Sequence, residues 1–402
     1  MALNEEQGKA YMQKLLSTMV AQKGSDLFIS ADFPPSMKAN GLMQPMATQK
    51  LTGEITRTLA YSLMNDVQRA EFDKEFECNF AMSIPGIARF RVNVFVQQRC
   101  VGMVIRTIPA EIPNFDKMGL PPILKDVIMN KRGLVLVVGG TGSGKSTSLA
   151  AMIDHRNATS PGHIITVEDP VEFVHTSKQS LITHREVGVD THTWHHALKN
   201  TLRQAPDVIL IGEIRDAETM EHAIAFAETG HLCLGTLHAN SANQTIERVI
   251  NFFPEERRNQ LLMDLSANLR AIVAQRLVRT EDGKGRKAAI EIMLNTPNVA
   301  ERIFKSEFGD IKGVMTKSRE LGMRTFDGAL FDLYDEGFIA YEEAIRNSDS
   351  ANELRLNIKL KSKRGEPVSN STFGFSMQEE EPKPAAAAEG AEKKDEKVEV
   401  KK

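Results

Sequence analysis

The sequence predicts an α/β protein of two folded units: a mixed α/β unit, then a largely parallel α/β core carrying a helical appendage. Three observations lead there. Apolar runs at residues 134–138, 164–167, 208–211 and 232–234 alternate with helix-compatible stretches, the rhythm of a parallel sheet buried on both faces. The first run leads directly into Gly139-Gly140-Thr141-Gly142-Ser143-Gly144-Lys145-Ser146, which fits G-x-x-x-x-G-K-[ST] between a strand and a helix, the setting that motif requires. Finally, 402 residues are too many for one ordinary core.

Taken in order, the chain opens with Tyr11, Leu15, Leu16, Met19 and Val20 at helical spacing, then passes through Gly24-Ser25 into an apolar run at 27–29, giving helix, turn and strand. Residues 87–96 and 101–105, rich in Val, Ile and Phe, read as paired strands in a region that holds Arg91 and Arg106. Pro109, Pro113, Pro121 and Pro122 then favour an extended connection. This places units at 1–108 and 123–360 with a linker at 109–122. Beyond the apolar runs, Leu261, Leu262, Leu265, Leu269, Ile272 and Val273 repeat at helical spacing and predict helix over 254–277, with further helices to about residue 356. Residues 361–402 are expected to be a flexible tail, since 378–402 are mostly Glu, Lys, Ala and Pro and offer almost nothing to bury.

Composition narrows the function. Hydrophobic residues at 41% and charged residues at 26% suit a globular chain. A net charge of −3 argues against a protein that coats nucleic acid. Apolar stretches such as 133–140 are too short to cross a bilayer, so the protein is expected to stay in the compartment where it is made. Cys78, Cys100 and Cys233 are widely spaced and suggest neither a disulfide framework nor a zinc site.

The glycine-rich loop carries the clearest chemistry. Its glycines let backbone N–H groups turn toward phosphate oxygens, the following helix start adds positive field, Lys145 would bridge the β and γ phosphates, and Ser146 would ligate Mg²⁺. The ATP-binding set runs Gly139, Gly140, Thr141, Gly142, Ser143, Gly144, Lys145, Ser146 and Thr147. Hydrolysis also needs a carboxylate to orient water and another to hold the Mg²⁺ shell. Two strand ends offer candidates, Glu168 with Asp169 after 164–167, and Glu213 after 208–211. His231 and His238 bracket the run at 232–234, and either could donate a hydrogen bond to phosphate or to a catalytic carboxylate. His192, His195 and His196 around Trp194 lack nearby Cys or paired carboxylates, so a polar surface helix is expected there rather than a metal site.

Four motifs in this order resemble the Walker A, Asp box, Walker B and His box of the secretion ATPase superfamily. They are the P-loop, Val167-Glu168-Asp169-Pro170-Val171-Glu172-Phe173, Gly212-Glu213-Ile214-Arg215-Asp216, and residues 229–238. Ser25-Asp26-Leu27, Arg89-Phe90-Arg91-Val92-Asn93 and Arg106-Thr107-Ile108-Pro109 extend the likeness over roughly residues 1 to 360, and it is similar to the PilT/PilU branch of pilus retraction motors. The resemblance implies a PAS-like N-terminal domain, a RecA-like ATPase domain and a hexameric ring in the cytoplasm. The ring would dock on an inner-membrane pilus platform protein, which would be its only link to the membrane, with no direct contact to nucleic acid. It implies Glu168 as general base, Glu213 as the Walker B acid near Mg²⁺, His231 and His238 as couplers of phosphate state to domain position, and Arg91 and Arg106 as arginines reaching the γ-phosphate. The A-I-R-N-L-I-R motif that follows a Thr-Pro pair in PilT-type proteins is replaced by Asn298-Val299-Ala300-Glu301-Arg302-Ile303-Phe304 after Thr296-Pro297. That resembles the PilU type, an accessory motor expected to act with a PilT-type ATPase. Pilus extension and type II secretion ATPases, which commonly carry a four-cysteine zinc insertion, and a nucleotide-gated scaffold with little turnover are the alternatives.

Overall fold

A computed structural model of the chain describes residues 3–39, 42–108 and 111–364, so the expectations for 109–110 of the connection and 365–402 of the tail lie outside it. Helix α1 (Glu5–Ala21) begins with a capping box: Asn4 Oδ1 accepts from the Gln7 N–H, and Gln7 Oε1 accepts from the Asn4 N–H. Its Met12, Leu15, Leu16 and Met19 form the buried stripe. With α2 (Gly53–Tyr61) and α3 (Asp66–Glu75), it packs on a sheet of six antiparallel strands. These are β1 (Asp26–Ile29), β2 (Ser36–Ala39), β3 (Leu42–Pro45), β4 (Glu77–Ile84), β5 (Ala88–Gln97) and β6 (Cys100–Ile108), in the order β3-β2-β1-β6-β5-β4. The expected pairing of the two Val-rich runs is β5 with β6, closed by Gln98 and Arg99, both at positive φ, as a two-residue hairpin turn needs.

After α4 (Ile123–Ile128) comes a second sheet. Its strands are β7 (Gly133–Val138), β8 (Gly162–Glu168), β9 (Ser180–Glu186), β10 (Val208–Ile211), β11 (Leu232–Leu237), β12 (Leu269–Arg279) and β13 (Arg286–Leu294), in the order β13-β12-β7-β11-β10-β8-β9. All neighbours run parallel except β12 with β13. Helices α5 (Lys145–Thr159), α6 (Trp194–Thr201), α7 (Ala217–Glu228), α8 (Ala242–Asn251) and α9 (Arg258–Asn268) make the connections. Strand alternation divides the apolar residues between two cores: Leu134, Leu136 and Val138 of β7 enter one, Val135 and Val137 the other, and β10 does likewise. Cys78 and Cys233 are buried and free, and burial pushes both thiols up, Cys78 to about 11.

One expectation is corrected. Helix does not run to residue 277: α9 stops at Asn268, and Leu269, Ile272 and Val273 belong to β12, between β7 and β13. A short apolar run buried on both faces satisfies helical and strand spacing equally, and the parallel partner that decides the matter, β7, is remote in sequence. The helices that follow the sheet are α10 (Pro297–Phe304), α11 (Phe308–Lys317), α12 (Phe326–Asp335), α13 (Tyr341–Asn347) and α14 (Ala351–Lys361). Arg276 of β12 holds this layer through an ion pair to Asp349 at 2.8 Å, a hydrogen bond to the Asn347 carbonyl and a place 4.0 Å from the Phe326 ring centre. Arg364, just past α14, pairs with Glu281 at 2.8 Å. Among the described residues, no helix is long and apolar enough to cross a membrane.

Glu291 of β13 shows how a buried charge is put to structural use. Its two oxygens accept the N–H of Ala242 at 2.8 Å and of Phe326 at 3.2 Å, the first residues of α8 and α12. Burial raises its pKa and the two N–H donors oppose that rise. Glu291→Ala strands both donors and should lower unfolding free energy by about 2–4 kcal/mol, whereas Glu291→Gln, which keeps one carbonyl acceptor, should lose less. Denaturant midpoints of the two variants check this order.

Candidate nucleotide site

Four parallel strands deliver the site residues to one edge of the sheet, because each strand ends where its neighbours end. The loop from β7 to α5 makes the floor. Gly139 sits at φ +155°, and a Cβ there would lie 2.4 Å from Ser143 Oγ and 2.5 Å from the Gln275 carbonyl, so no larger residue fits. Gln275 of β12 clamps the loop from behind: its Nε2 donates to the Ser143 carbonyl and its Oε1 accepts from the Ser148 hydroxyl, both at 2.8 Å. Lys145 is buried and donates to the Gly139 and Gly140 carbonyls at 2.9 and 3.1 Å. Burial lowers its pKa, and Glu213 and Glu172 oppose that fall. Ser143 Oγ is buried without a hydrogen-bond partner among the described residues. A helix start with inward N–H groups, a lysine held on carbonyls it can exchange, and an unpaired hydroxyl together fit a polyphosphate.

Glu168 ends β8. Gly212, after β10, allows the close approach here, since a Cβ on it would meet Glu168 Cα at 3.0 Å. Desolvation pushes the Glu168 carboxyl up to about 7, against a Thr166 hydrogen bond that favours the ionised form. Behind Thr166 stands His184. The His175 N–H donates to His184 Nε2 at 3.0 Å, so Nδ1 carries the proton and donates to Thr166 Oγ1 at 2.9 Å, leaving the Thr166 hydroxyl proton free for Glu168. Glu213 follows β10. Burial pushes its carboxyl up, but the hydrogen bond and charge of Arg215, with His238 and Lys145, outweigh this and hold it below the usual range. Arg215 Nη2 lies 2.6 Å and His238 Nε2 3.2 Å from the two Glu213 oxygens.

The antiparallel sheet closes the site from the other side. Asp26 of β1, Arg106 of β6 and Arg91 of β5 are directly opposite one another across three strands. Arg106 Nε donates to Asp26 Oδ1 at 2.8 Å, while Arg91 has no ion pair among the described residues. Facing like charges on adjacent strands cost stability unless an anion lies between them. Both arginines line one cavity of about 600 Å³ with Thr141, Gly142, Ser143, Gly144, Lys145, Ser146, Thr147, Glu168, Glu213 and His238. Beside them the sheets are joined by Arg89 and Glu186, an ion pair in which the buried Glu186 also accepts the Val171 N–H at 3.1 Å.

Ser146 and Glu213 share this wall and offer the hard oxygen donors that suit Mg²⁺. His231 is not brought in. It precedes β11 while His238 follows it, roughly 20 Å of strand away at ~3.3 Å per residue, and its Nδ1 bonds the Phe226 carbonyl and Thr229 hydroxyl. Gln275, Thr166, His184, Trp194 and Arg286 were not singled out by sequence for this site. Gln275 was masked by the helical reading of its segment, and the others sit in no motif.

The geometry sets a pH dependence. Glu168 is ionised only above its raised midpoint, so hydrolysis that needs its carboxylate should fall as pH drops through about 7. Thr166→Val removes a bond that favours the charged form, so the acidic limb of the kcat/KM profile should move to higher pH.

Comparison with known proteins matches residues 4–322 to the family described as type II/IV secretion system protein. The type IV pilus ATPase PilU of Pseudomonas aeruginosa is 55% identical over 374 residues, 93% of this chain and 98% of that one. The type IV pilus retractation ATPase PilT of the same organism is 43% identical over 331 residues, 82% of this chain and 96% of its own. Among solved structures, the pilus retraction motor PilT with bound ADP superposes with a TM-score of 0.79 at 36% identity, covering 86% of this chain and 98% of that one. This chain belongs to the type II/IV secretion system protein family, within its PilT/PilU branch.

Proposed function

We propose that this protein is an ATP-hydrolysing motor of type IV pilus retraction, of the PilU kind, working as a homo-hexamer beside a PilT-type ATPase. It would dock through an inner-membrane platform protein at the cytoplasmic face of that membrane. The observation that carries the reading is the meeting, in one cavity, of the P-loop, two strand-end carboxylates and two arginines from the other sheet. Names of relatives supply the process, and the higher identity to PilU than to PilT supports the accessory type. The strand order β12-β7-β11-β10-β8 supports a RecA-like core over residues 123–360, and the antiparallel sheet with α1 to α3 supports a PAS-like unit over 1–108.

In this reading Lys145 exchanges the Gly139 and Gly140 carbonyls for phosphate oxygens on ATP binding. Ionised Glu168 orients the attacking water and accepts its proton, with Thr166 and His184 fixing the carboxylate. Ser146 and Glu213 would hold Mg²⁺, which when bound neutralises phosphate charge. Arg91 and Arg106 draw the first sheet toward the γ-phosphate. Only a contact that differs between ATP and ADP shifts the population of closed states, so hydrolysis releases the closure and yields motion.

Steady-state ATPase assays with recorded oligomeric mass, alone and mixed with a PilT-type ring, test this. Glu168→Gln should reduce kcat by at least about 100-fold while ATP still binds. A variant as fast as the parent removes the general-base assignment. Arg106→Ala should lower kcat by about tenfold or more with ADP affinity unchanged, whereas equal losses in both would show that Arg106 only holds the fold through Asp26.

A further inference from the structure

Outside the nucleotide cavity, α6 and α7 bring together side chains that the sequence keeps apart. Glu218 and His222 lie four residues apart on α7 and so share one face, and His195 reaches them from α6. The three ligand-capable atoms lie within 4.8 Å of one another, the only such group of three or more His, Cys, Asp or Glu among the described residues. His195 Nδ1 contacts Glu218 Oε1, and the His195 and His222 ring centres are 6.1 Å apart. His222 is half-buried against Phe226, with ring centres at 5.9 Å, so one ligand is already positioned by packing. Asp216 caps α7 through the Thr219 N–H at 2.8 Å, which fixes the turn that carries Glu218.

We propose that His195, Glu218 and His222 form a site for a divalent transition-metal ion of the Zn²⁺ or Ni²⁺ class, bridging α6 to α7 beside the nucleotide cavity. Two imidazoles and one carboxylate are the donor set these ions take, and exposure leaves the remaining positions to water. Mg²⁺ prefers all-oxygen surroundings and is a poor competitor for two nitrogens. His192 and His196 pair with each other, ring centres 6.1 Å apart, and stay outside the set.

The site's place matters for the motor reading, though the binding claim stands without it. Trp194, the residue before His195, lines the nucleotide cavity, and α7 follows the Glu213–Asp216 segment directly. A bound ion would tie two elements that border the nucleotide. Trp194 is the sole tryptophan of the chain, so its emission reports occupancy without a label.

The test titrates ZnCl₂ into the full chain in excess Mg²⁺ without nucleotide, by calorimetry and Trp194 fluorescence, with Co²⁺ absorption as a readout of nitrogen ligation. One ion should bind per chain. His195→Ala and His222→Ala should each weaken binding at least about tenfold, and His192→Ala should leave it unchanged. Glu218→Gln, which preserves side-chain size, serves where an alanine variant lowers the apo melting temperature. Equal affinity in parent and all variants, binding seen only at millimolar ion, or dependence on His192 would each overturn the site.

Discussion

The exits of β7, β8, β10 and β11 meet along one sheet edge because the four strands are parallel and held in register by neighbours on both sides. Burial on both faces enforces that register. A one-residue slip would exchange the residues that fill the two cores, moving Leu134, Leu136 and Val138 to the side built for Val135 and Val137. The same register fixes where Lys145, Glu168, Glu213 and His238 stand relative to one another. Precision in the chemistry is therefore inherited from packing that touches no substrate.

β12 extends this logic. It pairs with β7 in parallel and with β13 in antiparallel fashion, and it carries one buried polar side chain, Gln275, to the back of the phosphate loop. A loop with Gly139 and Gly144 at positive φ has little conformational preference of its own. Gln275 supplies the missing constraint through hydrogen bonds at both ends of its amide. Glu291, on the neighbouring strand, does comparable work for α8 and α12. Both groups are buried, and both are tolerated because each of their polar side-chain atoms has a hydrogen-bond partner.

Charge is divided between the two sheets that line the cavity. The second sheet offers a lysine and the carboxylates, and the first offers Arg106, balanced by Asp26, beside Arg91, which has no acidic partner among the described residues. Arg89 and Glu186 already join the sheets at one flank. At the other flank Arg91 and Arg106 leave positive charge facing the cavity, which would attract an anion placed there.

Local signals wrote much of this protein into its sequence. The P-loop, the strands before it and after it, the acidic strand ends Glu168 and Glu213, and the paired runs of β5 and β6 each depend on residues close in the chain. Their periodicity or motif survives without knowledge of partners. Where a long-range partner decides, the sequence was silent or misleading. Residues 269–277 match helical spacing and become strand only because β7 and β13 offer hydrogen bonds on both edges. His231 and His238 bracket a strand in the sequence reading, but it is the shared exit edge of β7, β8, β10 and β11 that puts His238 in the cavity and leaves His231 out. Gln275 and His184 have no local mark, and although His195 stands in a histidine cluster and Glu218 and His222 are four residues apart, only packing of α6 on α7 brings the three together. Sequence determined which chemistry this chain can do, through motifs that act over a few residues. Tertiary structure alone decided which side chains support that chemistry, because distance through space is set by sheet order and helix packing rather than by position along the chain.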